Sequence, residues 1–432
     1  MRVKFYTLGC KVNQYETEAM RGILRDRGFL PAEEGEPADV VVVNSCTVTA
    51  QSDQKARKAL RRLKQENPGA VGVLTGCWPQ AFPQEAAGFE PADIVLGNVN
   101  RGGLADRVLE YMSTKQRIVD ISPHEKGEAF EQMSVQGLSG HTRAFLKIQD
   151  GCERYCAYCI IPYARGGVRS KHPRDIAAEV EELAGAGYKE VVLTGINLPA
   201  YGQELGLSLC DAIEAACGVD GIRRVRLGSL EPERLTGDVI ERMRRQEKLC
   251  PQFHLSLQSG CGATLRRMNR HYSPREYRQI VEELREAFDN CAITTDIMVG
   301  FPGETEEEFA ESLAFCREIG FAKAHVFAYS RRPGTVADRA PDQVTNAVKE
   351  QRSARMIAAM EDCRRAFFAA QAGREDEVLF ERELEPGLYE GLTANYTPVR
   401  ARCEEDPRGR IIGVRLTEGT EEYCTGVPSG AE

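Results

Sequence analysis

Cys152, Cys156 and Cys159 stand in the spacing C-x3-C-x2-C within KIQDGCERYCAYCIIPYARGG. Three thiolates so close in sequence can reach three corners of one 4Fe-4S cube and leave its fourth iron without a protein ligand. The amino and carboxylate groups of S-adenosylmethionine (SAM) can chelate such an open iron, so that an electron entering the sulfonium releases a 5′-deoxyadenosyl radical. Zinc competes for the same cysteines, but it needs a closed fourth ligand, here His141 or His172, and normally pairs its cysteines as two C-x2-C halves. The spacing favours the cluster.

A second set, Cys10, Cys46 and Cys77, has no motif spacing, but each member directly follows an apolar run: FYTLGC, VVVVNSC and VLTGC. In a parallel α/β sheet the strand ends converge along the carboxyl edge, where ligands bind. Three thiols there could hold a second cluster with one open iron. Three buried core cysteines are the competing reading; Gly9, Asn44, Ser45 and Gly76 beside them suggest open loops and favour a site. The remaining nine of the fifteen cysteines lack a partner at ligand spacing and read as structural.

The elements that must position these residues follow from periodicity. Residues 1–115 alternate apolar runs (VKFYTL, VVVV at 40–43, VGVL at 71–74, IVL at 94–96) with helical stretches near 16–27 and 54–66, a βαβ pattern with a parallel sheet. Residues 116–140 are polar, without sustained periodicity, and read as a linker. Residues 141–370 hold six strand-like runs separated by helices: too few for a closed eight-fold barrel, but suited to an open (β/α)6 barrel ending in a long helix over about 344–370. The C-x3-C-x2-C loop follows the first of these strands, at the carboxyl end where barrel active sites lie. Residues 371–432 alternate and are broken by Gly and Pro, suggesting a small antiparallel barrel. The expected fold class is thus α/β with a terminal β-barrel.

No segment reaches the roughly 20 apolar residues needed to span a bilayer, and MRVKFYTLGC lacks a signal-peptide pattern, so a reducing, cytoplasmic setting is expected, where clustered cysteines bind metal or do chemistry. The net charge of −9 argues only weakly against a nucleic-acid partner, because binding depends on local patches.

With these residues in view, the chain resembles the radical-SAM methylthiotransferases along essentially its whole length. TLGCKVNQYETEAM, VVNSCTVTAQSDQKARKALRR and LTGCWPQ resemble the family's three amino-terminal cysteine segments, and GCERYCAYCIIPYARGGVRS its radical-cluster loop. HLSLQSGCGATLRRMNRHYS and TTDIMVGFPGETEEEF resemble the later barrel strands, and GLYEGLTANYTPVRA a TRAM domain. The resemblance implies two 4Fe-4S clusters, on Cys10/Cys46/Cys77 and on Cys152/Cys156/Cys159, with SAM serving both as methyl donor and as radical source. It further implies a transfer RNA substrate and a low-potential electron donor such as flavodoxin or ferredoxin.

Within the family, CTVTAQSDQKARKALRR and IIPYARG resemble the branch that methylthiolates N6-threonylcarbamoyladenosine beside the anticodon. Asn197 stands where that branch carries histidine and is closer to the isopentenyladenosine branch; residues 371–432 hold seven Lys/Arg against fourteen Asp/Glu, which suits a ribosomal-protein aspartate substrate better than RNA. An iron-sulfur electron carrier or RNA-binding module is the reading outside the class.

Two further sets of candidates come from placement. Strand ends at the barrel mouth supply Thr194, Gly195, Asn197, Ser229, Glu231, Gln258, Asp296 and Gly300 as a SAM cradle, with Tyr158 between two cluster cysteines. Arg57, Lys58, Arg61 and Arg62, on the helix after Cys46, are candidate phosphate contacts, against the plainer reading of a solvated basic face; Arg266, Arg267, Arg270, Arg275 and Arg278 form a second basic group.

Overall fold

The computed structural model describes residues 1–33, 35–133, 135 and 141–429. Its first body is a six-stranded parallel sheet in the order Leu30–Pro31, Arg2–Thr7, Val40–Ser45, Val71–Gly76, Ile94–Leu96, Ile118–Asp120. Val40–Ser45 and Val71–Gly76 are buried at every position, as uninterrupted apolar runs require when helices cover both faces. Because the strands beginning at Arg2, Val40 and Val71 are adjacent and parallel, the loops carrying Cys10, Cys46 and Cys77 leave the same edge of the sheet.

The sheet runs past residue 115. Ile118–Asp120 adds an edge strand to Ile94–Leu96 from within the expected linker, three residues being too few to show a period. Part of that linker, residues 134 and 136–140, lies outside the described residues.

The second body is an open barrel of six parallel strand positions: Ala144–Lys147, Glu190–Thr194, Arg224–Leu227 continued by Ser229–Leu230, Gln252–Leu255, Ala292–Val299 and Lys323–Ala328. A break at Gly228 divides it into two sheets, which a parallel bridge from Val225 to Leu249 rejoins. Helix Lys11–Asp26 belongs to both bodies. Its Tyr15 and Ala19 sit in the barrel core, and its Met20 and Leu24 in the sheet core.

Helix Asn346–Ala369 leads to a closed five-stranded barrel ordered Glu375–Glu385, Leu388–Thr393, Pro398–Arg402, Cys424–Pro428, Ile411–Gly419. The expectation of a purely antiparallel barrel is corrected here: Pro398–Arg402 pairs parallel with Cys424–Pro428. An odd number of strands cannot close with strict alternation of direction, so one parallel pair is a topological necessity.

Two acids of this terminal barrel have a structural role. Glu381 pairs with Arg143 at 2.6 Å and Glu377 with Arg223 at 2.9 Å, while Arg224 and Arg226 donate to the carbonyls of Leu392 and Ala394 at 3.1 and 2.9 Å. Arg143 and Arg224 lie at the amino ends of barrel strands. The terminal barrel therefore docks at the opposite end of the open barrel from Cys152, and two of its carboxylates serve that contact.

Candidate active site between the sheet and the open barrel

The three sheet-edge cysteines are stitched together by neutral polar side chains. Asn13, on the helix that Cys10 caps, donates to Ser45 O at 3.1 Å; Asn44 donates to Asn13 O at 2.9 Å; and Ser45 Oγ donates to Thr75 O at 2.7 Å. A Cβ on Gly9 would stand 3.0 Å from Cys46 Cβ, and one on Gly76, whose φ is +101°, would strike Ser45 O at 2.5 Å. The loops are thus packed rather than open: Asn44 and Ser45 are buried strand residues, a correction to the expectation drawn from their small polar character. Cys46 and Cys77 are buried and Cys10 is exposed. Burial pushes the Cys46 thiol up to about 11, helped by Cys77 beside it, so bound iron is what would hold it deprotonated.

The C-x3-C-x2-C loop follows the short strand Gln149–Asp150. Gly151, at φ +78°, lets the loop cross Gly167, whose carbonyl oxygen would lie 1.7 Å from an added Cβ. Two donors face the sulfurs: Asn197 Nδ2 at 3.7 Å from Cys152 Sγ and Arg270 Nη1 at 3.5 Å from Cys156 Sγ. Burial drives the Cys152 thiol up to about 11 and the Cys159 thiol to about 12. N–H groups aimed at sulfur suit thiolates, and each set offers three sulfurs, so both fit a cube with one iron left open. Of the histidines that could have closed a zinc site, His172 caps helix Pro173–Gly185 and His141 packs on Phe145. Among the described residues no three His, Cys, Asp or Glu side chains are grouped tightly enough to hold a single ion.

The two sites are neighbours. Helix Cys77–Ala81 packs on helix Ile161–Arg165, which directly follows the cysteine loop. Beneath them lies a buried ionic network: Glu16 pairs with Arg101, Arg165 and Lys147, and Asp150 with Lys147 and Arg165. Burial would raise the Glu16 carboxyl, but Arg101, Arg165 and Lys147 together outweigh it and hold it well below the carboxylate range. Arg332, from the loop after the last barrel strand, reaches Asp53 at 2.6 Å and Thr47, next to Cys46. A cleft of about 880 Å³ opens beside these elements, walled by Gln80 and Pro83, by Ile121 and residues 123–128, and by Glu153, Tyr155, Tyr163 and Gly166–Arg169.

The expected SAM cradle divides. Asn197 and Gln258 each bury a side-chain oxygen with no hydrogen-bond partner among the described residues, and Gln258 holds a left-handed backbone at φ +64°; both are acceptors ready for a ligand's N–H groups. Gly195 is glycine because a Cβ would meet Gln149 Oε1 at 2.8 Å, the oxygen that also accepts from Asn197 N at 2.7 Å. Thr194 is buried at its strand end and Ser229 is exposed. Glu231 is engaged by Arg270. Asp296 lies within its strand, 3.3 Å from His254. Gly300 is accounted for by packing, since Lys349 Cγ would lie 2.4 Å from a Cβ there. The Tyr158 ring packs against Phe301 at 6.4 Å.

Three of the four patch residues lie over rings of their own domain: Arg57 over Trp78, Arg61 over Phe89 and Arg62 over Tyr6, at 4.9, 5.0 and 5.5 Å. Lys58, Arg61 and Arg62 are exposed. In the second basic group Arg270 is buried on Glu231 and Cys156, while Arg267 and Arg278 pair with Glu308 and Glu318, which removes Arg270 as a phosphate contact. Sequence reading missed Arg165, Arg332 and Glu16, because an ion pair between bodies leaves no spacing signal; proximity to YCAYCIIPYAR was the one cue, and it pointed to Arg165.

An open barrel bearing C-x3-C-x2-C after its first strand defines a radical SAM enzyme, and residues 146–316 match the Radical SAM superfamily; residues 2–97 match Uncharacterized protein family UPF0004. Similar proteins include "Threonylcarbamoyladenosine tRNA methylthiotransferase MtaB" of Bacillus subtilis, 37% identical over 98% of this chain and 95% of its own length. "tRNA-2-methylthio-N(6)-dimethylallyladenosine synthase" of Caldicellulosiruptor saccharolyticus is 33% identical over 97% and 91%. The fold is shared with the radical SAM methyltransferase TsrM of Kitasatospora setae, at TM-score 0.57 and 14% identity over 78% of this chain and 77% of that one. The chain belongs to the radical-SAM methylthiotransferase family. Membership brings SAM and a 4Fe-4S cluster as cofactors, and no described helix is long and apolar enough to cross a membrane.

Proposed function

We propose that this enzyme places a methylthio group on carbon 2 of N6-threonylcarbamoyladenosine in transfer RNA, using two clusters held by Cys10/Cys46/Cys77 and Cys152/Cys156/Cys159. The observation that carries the reading is the juxtaposition of the two cysteine triads across the packed helices Cys77–Ala81 and Ile161–Arg165. When bound, the barrel cluster and SAM supply the radical that takes hydrogen from the substrate carbon, and the sheet-edge cluster supplies the sulfur. Direct transfer needs reacting atoms within roughly 3–3.5 Å, and a rigid cross-body contact is what would hold such a geometry. Asn197 and Arg270 donate to the loop sulfurs, and the unpartnered oxygens of Asn197 and Gln258 would accept from SAM when it is bound. The cleft walled by Gln80 of the helix that begins at Cys77 and by Glu153 and Tyr155 of the cysteine loop is the candidate entry for an unstacked base, which RNA-modifying enzymes draw out of its stack.

The base assignment follows the relatives named for threonylcarbamoyladenosine, at 37% and 35% identity. Asn197 favours a second reading, the isopentenyladenosine branch, which asparagine at this position resembles more closely. A ribosomal-protein substrate keeps the acid excess of the terminal barrel as its support, because docking engages only Glu377 and Glu381 of its fourteen acids in the ion pairs described above. The test is mass analysis of transfer RNA nucleosides after incubating anaerobically reconstituted enzyme with RNA carrying either base. A mass gain on threonylcarbamoyladenosine alone is expected; a gain confined to isopentenyladenosine would reassign the branch, and none on either would remove RNA as substrate.

Lys58, Arg61 and Arg62 are exposed on helix Ala50–Glu66, which follows the Cys46 loop; Arg61 stacks on Phe89, and Arg62 stacks on Tyr6 while its Nε faces Glu66 at 3.7 Å. Replacing all three by Ala is expected to flatten the log–log salt dependence of RNA binding by roughly one unit for each phosphate that is no longer neutralised. Fluorescence titrations across a salt series would measure this. An unchanged slope would assign the three side chains to packing.

A further inference from the structure

We propose that Arg165 is a positioning residue for sulfur transfer, holding a guanidinium edge against Cys77 so as to raise the reduction potential of the sheet-edge cluster and lock it in register with the barrel mouth. The inference rests on the two-cluster reading above. Arg165 ends the helix that follows Cys159, yet its side chain is wholly buried and points into the other body. Nε donates to Cys77 Sγ at 3.2 Å, and Nη2 donates at 3.3 Å to Asn13 Oδ1, an oxygen that also lies 3.3 Å from Cys10 Sγ. Nη1 faces Glu16 and, at 3.3 Å, Asp150, the residue that leads into the C-x3-C-x2-C loop. One rigid group therefore touches the surroundings of both triads.

The choice of arginine is informative. A buried cation needed only for folding would be satisfied by the two carboxylates. Here the planar fork also presents a third edge to sulfur, which a lysine point charge cannot do while keeping both ion pairs. Glu16 and Asp150 occupy Nη1, and Glu16 also Nη2, which leaves Nε as the edge that meets Cys77. A donor and a positive charge at a cluster sulfur favour the more negative, reduced state and so raise the potential. The same contact ties the helix after Cys159 to the helix that begins at Cys77, so loosening it should also separate radical formation from sulfur insertion.

The test uses R165K and R165Q, each in the full chain and in a C152A/C156A/C159A background that leaves only the sheet-edge site. In that background, EPR-monitored redox titration is expected to show a lower potential for R165Q, by at least a tenfold change in the reduction equilibrium, about 59 mV for one electron, with a smaller drop for R165K. In the full chain, both variants should consume more SAM per methylthio group, read as the ratio of 5′-deoxyadenosine to methylthiolated nucleoside. Potentials and ratios unmoved in the folded variants would overturn the proposal; should R165Q not fold, R165K decides alone. If the triple-Ala background binds no iron at all, the two-cluster reading itself fails, and this proposal with it.

Discussion

Changing Cys10, Cys46 and Cys77 together to Ala is expected to lower the iron content of the reconstituted protein from about eight to about four per chain and to abolish methylthio transfer, while 5′-deoxyadenosine is still released from SAM under reductant. The asymmetry follows from placement. The C-x3-C-x2-C loop is anchored within the barrel by Cys152 N to Gly166 O at 3.0 Å and Ala157 N to Met268 O at 2.9 Å, independently of the sheet-edge sulfurs. Arg165, which loses Cys77 as an acceptor in this variant, keeps Glu16 and Asp150, so the substitution should not strand a charge. Iron assay, EPR and product analysis on one preparation check the three parts. Retained sulfur insertion would refute the assignment of these cysteines to the sulfur-carrying site.

E16Q is expected to cost about 3–5 kcal/mol, because it leaves Arg101, Arg165 and Lys147 buried without the carboxylate they share. The pH dependence has a definite sign. Glu16 ionises well below its ordinary value of 4.5, held there by the three cations against the opposing effect of burial, and Asp150 likewise falls well below 3.8, with Lys147 foremost among the cations responsible. A depressed carboxyl contributes its full stability above the unfolded value and loses it as pH falls toward the folded one. Stability should therefore hold near neutrality and decline progressively below about pH 4.5, more shallowly in E16Q. Urea denaturation at a series of pH values measures both. A loss under about 1 kcal/mol would mean that the network is hydrated and worth little more than surface pairs.

Among the core features, the parallel sheet was legible because runs such as VVVV leave no solvent face for a helix or an antiparallel strand to show. The six barrel strands were legible through their regular alternation with helices, down to the long helix that ends at Ala369. Strand Ile118–Asp120 was not, being too short for periodicity and held by the register of its neighbour. The same local blindness explains the terminal barrel. Its acid excess was visible in the composition, but the arginines it docks on are up to 238 residues away in sequence.

For the candidate site, the sequence by itself determined which thiols are brought together. Three thiols at C-x3-C-x2-C spacing are confined by chain length alone to one small volume, and three apolar strands each ending in cysteine must deliver their thiols to one edge once they pair in parallel. Only the tertiary structure decided which strands are adjacent, that the two triads share a helix–helix contact, and that Glu16, Asp150 and Arg165 form the buried junction between them. It also decided that Glu231 and Gly300 answer to Arg270 and Lys349 within the chain. Backbone preference and spacing act over a few residues and are written locally. Charge pairing and close packing act across space between segments more than a hundred residues apart, and nothing in either segment's own sequence names its partner.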